Sequence, residues 1–133
     1  MDEAKAVNPP GVFKSPLFAQ AMRWGELLFV SCQAAVDERG NVVSPGDCAA
    51  QSEFIMRNIK TILEVAGSDM GRVVKITCFL TRTEDYPAYN SVRRKWFASG
   101  PPASSTVIVA ALVRPELVVE VEAIAVVPAR ART

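Results

Sequence analysis

Two stretches near the C-terminal end, "STVIVAAL" (105–112) and "LVVEVEAIAVV" (117–127), are apolar at nearly every position. A strand with one dry and one wet face alternates apolar and polar residues, so an unbroken apolar run describes a strand covered on both sides. The remaining sequence offers amphipathic helix for only one of those covers. Residues 48–66 repeat apolar side chains at Ile55, Ile59, Ile62, Leu63 and Ala66, with Asp47 as N-cap and Gly67 as terminator. In "TEDYPAYNSVRRKWF" an apolar line runs through Tyr89, Val92 and Trp96 with Phe97 beside it, while Arg93, Arg94 and Lys95 are expected to face solvent. Further strands are expected at 18–23 and 27–31, turned at Gly25-Glu26, and at 73–80 ("VVKITCFL"). Residues 1–15, rich in Pro and Gly, read as an irregular arm. The order ββ-α-β-α-ββ describes a single α+β domain over 1–133, a sheet covered by two helices on one face. Its other face then calls for a partner subunit, in keeping with a chain whose residues are 50% apolar.

Several function classes are excluded early. A net charge of +1 gives no reason to expect a nucleic-acid or membrane-surface partner. The apolar stretches fall far short of the ~20 residues that cross a bilayer. "MDEAKAVNPP" has no apolar h-region, so no signal peptide and a cytoplasmic location are expected. Cys32, Cys48 and Cys78 are odd in number and widely spaced, which suits free thiols rather than a disulfide frame or a metal knuckle. There is no histidine at all. Ser-His-Asp and Cys-His catalysis and His-ligated zinc are thereby removed, and acid–base chemistry falls to Asp, Glu, Cys, Lys, Tyr or water.

Within that limit a few residues stand out. Glu120 and Glu122 interrupt the last apolar strand on the face shared with Val118, Ile124 and Val126. A carboxylate there is costly unless paired or wet, so the two are either charge-paired at a seam or an acid–base group in a cleft. Cys32 is either a small packing residue or a nucleophile. In "GPPASSTVIVAAL" the consecutive hydroxyls Ser104, Ser105 and Thr106 follow a rigid Pro-Pro corner. They serve either the turn backbone or a ligand. Arg114, in the loop "VRPEL", reads as a surface residue, the alternative being a cation that reaches a ligand from another direction.

The stretches "SPLFAQAM", "GELLFVSCQ", "AAQSEFIMRNIKTILEVAG", "VVKITCFLTRTEDYPAYN", "FASGPPASSTVIVAAL" and "VEVEAIAV" together resemble the Rid family, the YjgF-type reactive-intermediate deaminases, over roughly residues 8–127. The resemblance implies a chorismate-mutase-like fold, a homotrimer with a central barrel, and small-molecule substrates bound in clefts between subunits. It also implies hydrolysis of enamines and imines such as 2-aminoacrylate, or of aminomuconate-type intermediates, to a keto compound and ammonia, without metal or organic cofactor. Position by position it assigns the water-positioning glutamate to Glu120 and the cleft aromatic to Phe18. Ser31, Cys32 and Gln33 take the place of the family's Ser-Gly-Gln, and Asn90 that of its helix asparagine. The arginine that clamps the substrate carboxylate is expected at residue 104, where this chain has serine. The resemblance thus points to a water-adding deaminase with a substrate other than 2-aminoacrylate. The alternative is a non-catalytic trimer that binds a metabolite.

Overall fold

Asp47 starts the first helix, α1 (Cys48–Val65), by accepting a hydrogen bond from the Ala50 amide at 3.0 Å, which satisfies one of the donors a helix start leaves bare. The other end closes on Gly67 at φ +88°. There the Gly67 amide donates to Glu64 O and the Ser68 amide to Leu63 O, the two bonds of a Schellman cap. Between the caps Ile55, Met56, Ile59, Ile62 and Leu63 are fully buried, a stripe at helical spacing turned to the sheet. The second helix, α2 (Tyr86–Trp96), follows a 3-10 turn at Thr83–Asp85 and carries Pro87 in its first turn. It buries Tyr89 and Val92 in the same core.

The structure, a computed structural model, describes residues 3–129. Its sheet has six strands: β1 (Lys5–Val7), β2 (Ala21–Trp24), β3 (Leu27–Ala34), β4 (Val73–Leu80), β5 (Ala103–Ile108) and β6 (Val119–Val126). Their order across the sheet is β1-β2-β3-β6-β4-β5, antiparallel throughout except for β4 against β5. The α+β sandwich with both helices on one face is as the sequence suggests.

Three details differ. The N-terminal arm is not wholly irregular, because Lys5–Val7 adds an edge strand to β2; three residues are too few to show a period. The first hairpin strand begins at Ala21 rather than residue 18, since the preceding segment is held by side chains instead of a ladder, the Gln20 amide donating to Asn8 Oδ1. The apolar run after residue 104 leaves the sheet at Ile108, and its tail Ala110–Leu112 is not strand. Apolar character alone marks burial, not backbone conformation.

Alternation sorts the sheet into two faces. Leu28, Val30, Ile76, Cys78, Leu80, Val119, Val121, Ala123 and Ala125 lie under the helices, all buried. Met22, Trp24, Leu27 and Phe29 stand on the other face with Ile124 and Val126; Trp24 is 52% and Phe29 45% exposed. Among the described residues nothing covers this apolar face. Strand β5 is also an uncovered edge, with every residue but Thr106 exposed.

Candidate active site

A one-residue bulge in β3 builds the first cleft. Val30 pairs with Ala123 and Gln33 with Val121, so β3 spends one residue more than β6 across Ser31 and Cys32. The bulge turns Gln33 inward, where it is buried, while Ala34 lies directly opposite Glu120. Gln33 Nε2 donates to Gln20 Oε1 at 2.7 Å, and Gln20 Nε2 to Phe13 O at 2.7 Å. Ser31 adds two ties to the same segment, its hydroxyl to Ala19 O and its amide to Gln20 O. Ser31 and Gln33 therefore anchor the loop that presents Phe18, half exposed, over a cleft of about 420 Å³. Phe18, Ser31, Cys32, Gln33 and Glu120 all line it, joined by Arg114. Arg114 is exposed, as expected of a surface residue, and its guanidinium is steered along the rim of the cleft by a 2.7 Å bond to Gly40 O.

Glu120 is half-buried, and loss of water pushes its carboxyl above the usual carboxylate range, with a thiol contact from Cys32 acting weakly the other way. Cys32 is driven up to about 12, first by burial and then by the negative charges of Glu120 and Glu122. Its Sγ lies 3.9 Å from Glu122 Oε1. Both influences keep it a neutral thiol, since a thiolate is favoured by cations and helix N-termini, not by two carboxylates. Among the described residues no three Cys, Asp or Glu side chains converge as a metal site.

Asn90, Ser104, Ser105 and Thr106 are not in this cleft. They stand at the β5 edge, three strands from β3, roughly 14 Å at ~4.8 Å per strand. The three hydroxyls are also divided among themselves. Ser104 pairs with Ile76 and Thr106 with Cys78, both buried, so these two hydroxyls point to the helix face. Ser105 points to the open face and receives Lys75 Nζ at 2.7 Å. Consecutive strand residues cannot form one cluster.

What gathers at this edge is a guanidinium. Arg93 does not run into solvent; it lies back over the Tyr89 ring at 4.9 Å and the Tyr86 ring at 5.9 Å. Its Nε donates to Asn90 Oδ1 at 2.9 Å, Nη1 to Ser104 Oγ at 2.7 Å and Nη2 to Tyr86 OH at 3.3 Å. Two concavities, of about 520 and 590 Å³, meet at Arg93 and Ser104. Charge alone groups Arg93 with Arg94 and Lys95, although helical spacing sets it beside Tyr89 and away from those two. The overlooked signal is the i, i+3, i+7 row of Tyr86, Tyr89 and Arg93, which brings the cation over two rings.

Comparison with known proteins is consistent with this architecture. A family model described as Endoribonuclease L-PSP matches residues 14–127. Protein DfrA of Myxococcus xanthus is 40% identical over 102 residues, 77% of each chain. A Dermatophagoides farinae protein named 2-iminobutanoate/2-iminopropanoate deaminase is 31% identical over 128 residues, covering 91% of this chain and 99% of its own. The crystal structure of the YjgF gene product of E. coli superposes with a TM-score of 0.83 at 31% identity, over 92% of this chain and 98% of the other.

Proposed function

Because the chain belongs to the Endoribonuclease L-PSP family, which includes proteins named YjgF, Rid and RutC, we propose that it is a cofactor-independent hydrolase that deaminates small imines and enamines by adding water. The observation that carries this reading is Glu120, a carboxylate raised above its ordinary range in a cleft with an aromatic wall. In a chain with no histidine, such a group is suited to take a proton from water and return one to nitrogen near neutral pH. Water adds to the imine carbon as Glu120 takes its proton. The resulting carbinolamine collapses, its hydroxyl proton leaving as nitrogen is protonated, and the products are a carbonyl compound and ammonia. Cys32, held neutral, lines the cleft beside the attacking water and forms no bond to carbon.

The cleft is completed by a second copy of the chain in a homotrimer. Two observations support this: the uncovered apolar face of the sheet, and the separation of Glu120 from the Arg93–Ser104 edge within one chain. Docking the β5 edge of one copy against the β3–β6 cleft of the next brings the two halves into one site. The substrate differs from 2-aminoacrylate, the smallest of the class, because the short side chain of Ser104 leaves room for a larger one where the family places a long arginine.

The test is a coupled assay in which a dehydratase generates 2-iminobutanoate or 2-iminopropanoate from threonine or serine, with keto-acid release followed. Wild type is expected to accelerate hydrolysis of at least the larger imine. Glu120→Gln should lower that rate ~10²–10⁴-fold, the usual worth of a general base, while Cys32→Ala retains most of it. Equal rates with and without wild-type protein overturn the reading.

A further inference from the structure

We propose that Arg93, reaching from α2 to Ser104, is the anion anchor of the cleft shared between two copies, so that the substrate carboxylate is gripped from the helix and not from position 104 of the strand. The proposal rests on the deaminase reading above and names the residue that holds its substrate.

A guanidinium has five N–H donors. Asn90, Ser104 and Tyr86 each take one of them, which leaves two, one on each terminal nitrogen. That pair matches the two oxygens of a carboxylate, the partner a planar fork binds best. The neighbouring hydroxyls reinforce the match. Ser104 Oγ and Tyr86 OH accept from the arginine, so the hydrogen each carries is left to donate to an anion bound at the fork. Four donors and one positive charge thus face the concavities that meet here.

Among the described residues no carboxylate pairs with Arg93; the ion pairs present use Lys60, Arg72 and Arg82. The ring stack and three hydrogen bonds fix the side chain before any ligand arrives, which removes most of the entropy cost of immobilising an arginine. Serine at 104 is small enough to admit the guanidinium, and its hydroxyl locks it. A cation placed at 104 itself would stand against Arg93, so the two positions are alternatives for one charge.

The experiment uses calorimetric binding of 2-oxobutanoate, with 2-oxobutanamide as the uncharged probe, beside steady-state kinetics on the imino acid generated in situ. Wild type is expected to bind the acid and not the amide. Arg93→Gln should weaken acid binding about 10- to 100-fold, the loss of one to two charged hydrogen bonds, and raise KM in step. Arg93→Lys should keep part of the affinity, and Lys95→Gln, on the exposed side of the same helix, all of it. Ser104→Arg alone should weaken binding, whereas Arg93→Gln with Ser104→Arg should recover it. That recovery cannot come from a variant that simply failed to fold. Acid binding and KM unchanged in Arg93→Gln, with deamination intact, overturn the anchor and leave the deaminase reading standing. The anchor falls equally if the loss appears in Arg114→Gln instead. A wild-type protein that neither hydrolyses the imine nor binds the acid overturns both.

Discussion

Glu120 is legible in the sequence because it interrupts the apolar run of the last strand. The structure adds the reason it matters, namely that burial holds its proton more tightly in the folded chain than in the unfolded one. For an acid with a raised folded pKa, stability falls as pH rises through the carboxylate range and above it. At neutral pH the charge opposes folding, so Glu120→Gln should raise Tm at pH 7 and leave it nearly unchanged at pH 4, a difference that calorimetric melts at the two pH values will show. The same substitution removes one of the two charges that raise Cys32. Wild-type Cys32 should react with iodoacetamide at pH 8 more than ~10-fold slower than a free thiol, and faster in Glu120→Gln, read by peptide mass mapping. Arg93 is legible only in part. Its spacing from Tyr86 and Tyr89 signals the ring stack, whereas the contact that completes its placement comes from Ser104, on a strand outside the helix's local pattern.

At the scale of elements, patterns that a local rule governs are readable and those that depend on distant partners are not. The bounds of α1 and β4 follow from a cap, a terminator and an apolar period, and the structure gives them at Cys48–Val65 and Val73–Leu80. The bulge at Ser31 and Cys32 has no local signature, because it exists only relative to the register of β6. Gln51 is another hidden determinant. It is fully buried on α1, its Nε2 donates to Ser44 O and Glu116 O, and its Oε1 accepts from the Val118 amide. One amide thus fixes the segment before β6 that carries Arg114 and Leu117 along the cleft. Gln51→Leu leaves those backbone groups buried and unpaired and should cost about 3 kcal/mol in urea unfolding. It should also raise KM, because the cleft wall loses its brace.

The whole molecule is defined by what one chain leaves open. Trp24, Leu27 and Phe29 on the bare sheet face, with Val107 and Ile108 at the end of β5, form apolar surface of the kind that a partner covers. Light scattering should give three times the 14.4 kDa chain mass. Phe29→Asp, which places a charge in that face, should shift the population toward single chains and abolish deamination together with the trimer. A single-chain mass for wild type at micromolar concentration sinks the assembly. The sequence announces the need for this cover through its unbroken apolar strands, but it holds no sign of which edge meets which cleft.

The separation of Glu120, on the inner strand β6, from Arg93, which reaches from α2 to the β5 edge, also has a genetic consequence. If every cleft borrows one edge from each of two neighbours, a Glu120→Gln chain still carries a sound Arg93, and an Arg93→Gln chain a sound Glu120. Each is crippled in a uniform ring. Denatured together and refolded, or co-expressed from two alleles, they assemble rings in which about a quarter of the clefts receive both intact halves, as random head-to-tail closure requires. Two defective alleles should then complement one another, whereas each mixed with itself stays silent. A site built within one chain shows no such rescue.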